Sequence, residues 1–402
     1  MGRHRTARGA LAGVVFAVLF AQVLLYPGVP ELVAALGGSG PLDAGRWFLG
    51  AEFAGFVLFA GAWGAVSDRA GRRGPFIAAG ALGGAVGYLV LAGIPAVPFW
   101  AVVLVRFIQG AATIGAFSLA VAALMDLSGG SGRNMGAAGI AIGLGTGLGA
   151  PVGGQLYALG VRAPLVAAAG LLTVAGVAAL KLDEQTDAGG GVDGHLLAVV
   201  RTVRDRPALS VPFAFGFADR FTAGFFALVG VAFFQARFGL DAGGTGLLLG
   251  AFFLPFALLQ YPLGVLSDRV GRVGPVAVGS FAYGLVVVGV ALAPTVTVAA
   301  IVMALVGAFG ALCAPATLAL VNDLAAADER GTATGGFNIV GSLGFLAGVV
   351  GGGGLAARFG FVDAFLLAGA LEILLAVALL PALLRLDGDR VATFAGDQSG
   401  GD

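Results

Sequence analysis

What most limits the folds open to this chain is a series of apolar runs, each close to the length that crosses a bilayer. An α-helix rises about 1.5 Å per residue, so roughly 20 apolar residues span a hydrocarbon core of about 30 Å. Twelve runs meet this requirement, near residues 9–33, 45–67, 74–93, 97–125, 134–158, 163–182, 210–235, 243–267, 274–292, 295–323, 332–358 and 362–385. They lack the period-two alternation of barrel strands, and lipid accepts only helices or closed barrels because unpaired backbone groups are too costly there. Only 11% of residues are charged, against about 25% in soluble domains. The expectation is an all-α integral membrane protein with twelve transmembrane helices. Arg3, Arg5 and Arg8 precede the first run as in a signal peptide, but the run is long and no small-x-small cleavage site follows, so it is expected to be retained.

The chain is also written twice. Gly64-Ala65-Val66-Ser67-Asp68-Arg69-Ala70-Gly71-Arg72-Arg73-Gly74-Pro75 returns 200 residues later as Gly264-Val265-Leu266-Ser267-Asp268-Arg269-Val270-Gly271-Arg272-Val273-Gly274-Pro275. Asp126 and Arg133 recur as Asp323 and Arg330, at an offset of 197. Two loops repeating at nearly one offset indicate two related six-helix bundles. Between them, 183–209 is the longest polar stretch separating runs and contains Gly189-Gly190-Gly191, the composition of a flexible linker. The division expected is a first bundle over 1–182, a linker over 183–209, a second bundle over 210–388 and a polar tail over 389–402.

Basic residues set the expected orientation. With the N-terminus inside, sixteen of the 22 fall on the inner side, and Arg46, Arg162, Arg237 and Arg358 on the outer. By the positive-inside rule both termini are expected in the cytoplasm, with the protein in the plasma membrane. Arg106 and Arg220 fall within runs.

Several chemistries lack their residues. One cysteine, Cys313, and two histidines in polar segments, His4 and His195, leave no disulfide and no metal cluster. The only lysine, Lys181, is followed by Leu182, so no phosphate-binding loop ending in Lys-Ser/Thr exists. The spans contain no Ser-His-Asp set, and net charge is zero, so the chain is not expected to be an enzyme, to carry a cofactor or metal, or to bind nucleic acid.

The repeated loop has a direct physical reading. Glycine permits a tight turn, Asp68 or Asp268 could accept bonds from amides at the next helix's N-terminus, and the arginines anchor in the headgroup layer. Elsewhere, Gly139, Gly143 and Gly147, and beside them Gly145, Gly149 and Gly153, recur every four residues along the fifth run, so two stripes carry almost no side chain and another backbone can come close. The eleventh run is similarly rich in glycine, consistent with a symmetric packing seam. Charges at bilayer depth are functional candidates by default. Helical rise puts Arg106 and Asp219 each about 14 Å deep and Glu52 about 10 Å from the outer face, whereas Glu31 falls at the outer edge as a headgroup residue. The repeat duplicates none of these: Met303 stands opposite Arg106, Phe252 opposite Glu52 and Gln22 opposite Asp219. Asp219 is open to two readings, a titrating carboxylate or a structural partner of Arg106. Glu372, near the middle of the last run, is a weaker candidate.

Two copies of Gly-x-x-x-Asp-Arg-x-Gly-Arg after the second and eighth runs, twelve spans and a central linker resemble the major facilitator superfamily of secondary transporters. Arg106-Phe107-Ile108-Gln109-Gly110 is similar to that family's Arg-x-x-Gln-Gly signature. Gly149-Ala150-Pro151-Val152-Gly153-Gly154 resembles the Gly-Pro-x-x-Gly-Gly motif of the drug/proton antiporter branch, with the proline one place late. The resemblance implies two pseudo-symmetric bundles around a central cavity lined by spans 1, 4, 7 and 10, with Arg106 and Asp219 facing the transport path. It also implies a cytoplasmic gate of Gly64, Asp68, Arg69, Gly71 and Arg72 with Gly264, Asp268, Arg269, Gly271 and Arg272, joined by Asp126, Arg133, Asp323 and Arg330. Because Arg73 is replaced by Val273, the first loop is expected to make the stronger contact. Arg106, Gln109, Glu52 and Asp219 are then proton-coupling or substrate residues, and Gly145, Gly149, Pro151, Gly153 and Gly154 helix-packing residues.

The expected activity is proton-coupled efflux of hydrophobic or amphipathic small molecules by a monomer in the lipid bilayer. A cavity supplied by 30 Phe against 5 Tyr and 3 Trp suits apolar compounds better than sugars. The alternatives are a proton symporter importing a small metabolite or organic anion, and, in another class, a non-transporting receptor or assembly protein.

Overall fold

The computed structural model describes residues 2–127, 131–182, 196–326 and 329–399, and among these every regular element is helical. Eleven helices are long and apolar enough to cross a membrane: span 1 (Thr6–Ala35), span 2 (Pro41–Ala70), span 3 (Gly74–Gly93), span 4 (Phe99–Asp126), span 5 (Gly136–Tyr157), span 7 (Pro207–Phe238), span 8 (Ala242–Val270), span 9 (Val273–Ala291), span 10 (Val296–Leu324), span 11 (Arg330–Phe359) and span 12 (Phe361–Leu386). A shorter apolar helix, Ala163–Ala179, fills the sixth place. Residues 183–195 of the expected linker lie outside the described residues. The rest contains a helix, Leu196–Asp205, whose Val199 and Val203 pack on Leu209, Phe213 and Phe337 beneath the second half. The last helix continues from span 12 to Ser399.

The repeat in sequence is a repeat in packing. Span 1 lies on 5, span 2 on 4, span 3 on 4 and 6; span 7 lies on 11, span 8 on 10, span 9 on 10 and 12. Two seams join the halves, span 5 against 8 and span 2 against 11. Gly71 (φ 64°) and Gly271 (φ 90°) end spans 2 and 8 in the left-handed region, where a side chain would be strained.

Spans 1 and 7 both depart from α geometry at equivalent places. Tyr26–Gly28 form a 3₁₀ turn, and Phe226–Gly230 form a π turn. Pro27 and Pro30 remove backbone donors and account for the first; at the second, Gly230 leaves room for the Phe226 ring. The two turns meet where the halves touch. Beside them Leu228 fills the notches left by Gly45 on span 2 and Gly353 on span 11, and Phe53 stacks on Phe345 at 4.0 Å. Along the other seam, close approaches run from Gly143 beside Ala257 to Gly154 beside Ala242. Toward the Asp-Arg loops, Gly9, Gly13, Gly136 and Gly139 have nothing beside them. The close approaches between the halves thus concentrate toward the end remote from those loops.

Candidate functional site

In the first half, the site grows from the spacing Arg-x-x-Gln-Gly on span 4. Three residues of helix bring Gln109 onto the face of Arg106, whose Nη1 donates to Gln109 Oε1 at 2.5 Å. Gly110 removes the side chain that would hold span 2 away; a Cβ there would lie 2.5 Å from the Glu52 carbonyl oxygen. That closeness puts the Glu52 carboxylate within reach, and Arg106 Nη2 donates to Oε2 at 2.5 Å. Gln109 Nε2 continues the chain to Thr113 Oγ1 at 2.7 Å. The guanidinium lies 4.8 Å from the Phe48 ring and 5.2 Å from Tyr88, a cation–π setting on two aromatic residues. Arg106 and Glu52 are both fully buried. Glu52 Oε1, Arg106 Nε, Gln22 Nε2 and Tyr88 OH are buried without a hydrogen-bond partner in this arrangement. An ion pair so enclosed is costly to break from one side, which suits an element holding one of two discrete states.

This geometry changes two expectations. The partner of Arg106 is Glu52, because the glycine contact sets span 2 against span 4, and Asp219 is committed elsewhere. Arg106 also faces the interior of its own half, not open space. Asp219, 7% exposed, lies 3.6 Å from Nε of Arg220, whose long side chain curls back although neighbouring positions point apart on a helix. Glu372 on span 12 is buried and accepts a bond from Ser280 Oγ at 3.1 Å. The repeat mates Met303 and Phe252 are buried apolar residues, so the symmetric scaffold carries asymmetric charges.

At the repeated loops, neither Asp68 nor Asp268 caps the following helix. Both sit in the last turn of the preceding span and face arginine. Arg73, 7% exposed, pairs with Asp126 and, at 3.6 Å, with Asp68. In the second loop Arg272 takes this place one position earlier, pairing with Asp268 and, at 3.3 Å, with Asp323. Substitution of Arg73 by Val273 therefore does not empty the second loop, although Arg272 is more exposed than Arg73. Arg69, Arg72, Arg269 and Arg330 are exposed, and the Arg133 side chain lies outside the described residues. Gly64 and Gly264 lie in the last turns of their spans. Because both loops are bridged in this way, Arg73→Ala and Arg272→Ala are expected to slow transport to a similar extent, read as initial rates in liposomes; a loss confined to one would break the equivalence.

Gly145, Gly149 and Gly153 face span 1, their neighbours being Phe16, Val23 and Leu24, whereas Gly143, Gly147 and Gly154 face span 8. Pro151 sits within the span 5 helix, its ring against Gly250. Sequence reasoning missed Gln235 and the partner of Glu31: Gln235 Nε2 of span 7 donates to Glu31 Oε1 at 2.8 Å and to the Pro27 carbonyl at 3.2 Å, joining the two halves. A proline pair near a span end, which interrupts the α-helical hydrogen bonding there, was the available signal.

Two six-helix halves joined by two seams, with charged pairs at mid-membrane, define the architecture of a secondary transporter. A sequence model of the Major Facilitator Superfamily matches residues 11–235 and again 211–399. The chain belongs to the Major Facilitator Superfamily and is a transporter of that family. It is 28% identical over 302 residues to the class G tetracycline resistance protein of Vibrio anguillarum, covering 73% of this chain and 76% of that one. It is 32% identical over 160 residues to an uncharacterised MFS-type transporter of Methanocaldococcus jannaschii, covering 38% of this chain and less than half, 42%, of that protein. Among solved structures, the nucleoside transporter NupG superposes with a TM-score of 0.77 at 14% identity, covering 94% of this chain and 99% of that one. That likeness is one of fold.

Proposed function

We propose that this transporter is a proton-coupled antiporter that exports hydrophobic or amphipathic small molecules across the plasma membrane by alternating access, acting as a monomer with both termini cytoplasmic. The observation that carries the reading is the Glu52–Arg106 pair: a carboxylate and a guanidinium wholly removed from solvent at bilayer depth, joined at 2.5 Å. A proton delivered to Glu52 removes one charge of the pair and releases Arg106 and its Gln109–Thr113 chain, which gives the half a second arrangement. Glu52 and Arg106 are the coupling residues in this reading, and Asp219 with its partner Arg220 modulates the path from the other half. The Asp68–Arg73–Asp126 and Asp268–Arg272–Asp323 bridges belong to the cytoplasmic gate, and the glycines of span 5 to the seam that slides. The tetracycline resistance relative favours efflux. The likeness to a nucleoside transporter keeps a second reading, a symporter importing a small metabolite, in view.

The test is transport by purified protein in liposomes under an inward and then an outward proton gradient, screening lipophilic cations and organic acids. Glu52→Gln is expected to lose gradient-driven transport while keeping facilitated exchange, and Asp219→Asn to lose part of the rate. If both run at the wild-type rate under a gradient, the coupling assignment is wrong. Flux opposite to the proton supports antiport; flux with it supports the second reading.

A further inference from the structure

Span 7 is the most enclosed of the spans. It packs on spans 9, 10, 11 and 12 of its own half. Between Val211 and Phe234 one residue stands exposed, Arg220, its side chain 44% accessible. Ala214, Phe217 and Ala223, the partly exposed residues of this stretch, fall at three-residue steps around it, so the accessible positions wind as a strip across about half the helix circumference with Arg220 within it. With its own half covering the rest, that strip faces the space between the halves. On span 1, Gly9 and Gly13 are exposed and the Phe16 and Phe20 rings, 5.1 Å apart, are partly exposed beside span 5.

Arg220 stands ten residues from Ser210, about 15 Å along the helix and so near the bilayer midplane. A guanidinium at that depth persists only where it is paired or faces a watered cavity. Asp219 lies 3.6 Å from Nε, beyond hydrogen-bond distance. Among the described residues no hydrogen bond occupies either terminal nitrogen. Gly341 on span 11 leaves room for the aliphatic stem, since a Cβ there would lie 3.2 Å from Cγ. With Gln22 opposite Asp219, the repeat places Val23 opposite Arg220, so the charge is single. Arg106, the other mid-membrane arginine, is enclosed and already holds Glu52 and Gln109.

We propose that Arg220 is the anion-recognition point of the central space, and that the substrate is an amphipathic molecule joining an aromatic or apolar body to one carboxylate. The planar fork of the guanidinium matches a carboxylate through two parallel hydrogen bonds. Phe217, partly exposed three residues before Arg220, offers an apolar face to the body and no hydrogen bond to a sugar. This assignment rests on the transporter reading and narrows its substrate.

The experiment uses the full chain in detergent and in liposomes with three probes sharing one ring system: 2-naphthoate, 2-naphthylmethanol and naphthylmethyl-trimethylammonium. Wild-type protein is expected to bind the naphthoate at least about tenfold more tightly than the other two, the scale of one charge-assisted contact. Arg220→Gln removes that preference, and Arg220→Lys restores part of it, which a merely misfolded variant would not do. Equal affinities for the three probes, failure to bind any, or a preference surviving in Arg220→Gln overturns the proposal. Arg220-dependent binding of naphthoate without movement across liposomes keeps the site and removes the transport reading. Transport of the cation, indifferent to Arg220, does the reverse.

Discussion

Arg106→Ala is expected to abolish transport and to destabilise the protein. Removing the guanidinium leaves the Glu52 carboxylate in a site that is 0% exposed, with Gln109 losing its donor at the same moment. Breaking a buried pair from one side costs about 3–5 kcal/mol. Thermal unfolding of the purified protein, followed beside initial transport rates, reads both effects. The double variant Arg106→Leu/Glu52→Leu separates them. Replacing both charges with apolar groups is often neutral for stability, so the double variant is expected to fold well and still fail to transport. Recovery of transport in the double variant, or a wild-type rate in Arg106→Ala, would show that the pair only holds spans 2 and 4 together.

Gly153→Val carries the largest expected effect on folding. Any Cβ at this position runs into the Leu24 carbonyl, a backbone atom that cannot rotate away as a side chain could. Overpacking costs about 1–3 kcal/mol where neighbours adjust and more where they cannot, so this variant is expected to give little monodisperse protein on size-exclusion chromatography. Gly139→Ala, one stripe away and with nothing beside it, is the control. Exchanging an interior helical glycine for alanine there is expected to stabilise by about 0.5–1 kcal/mol. Equal yields from the two variants would contradict the packing of span 5 on span 1.

Much of this arrangement could be read before any coordinates. Span count follows from the length of apolar runs, and the two halves from a repeat at an offset of 200, because both are properties of the chain in one dimension. The Arg106 site was legible in part: its spacing to Gln109 is local to one helix. Its partner was not, since depth along a helix places Glu52 within a few ångströms of Arg106 in height but carries no information about which helices adjoin. For Glu31 the same limit applied: height along span 1 set it near the outer end but did not reveal its partner across the halves, Gln235. Arg220 was passed over because adjacent positions on a helix diverge. Its accessibility depends on four other spans covering the rest of span 7.

The paired departures from α geometry at Tyr26–Gly28 and Phe226–Gly230 bear on how the contact between the halves can yield. A 3₁₀ turn advances about 2.0 Å per residue and an α turn about 1.5 Å, so relaxing the three residues of the first turn would shorten span 1 by about 1.5 Å. A π turn has the same hand but is wound more loosely than α, with a smaller rise per residue, so relaxing the second would extend span 7. The two helices would then change length in opposite senses, one withdrawing as the other advances. Gln235 grips the Pro27 carbonyl at 3.2 Å, and a slip of that size is enough to part them.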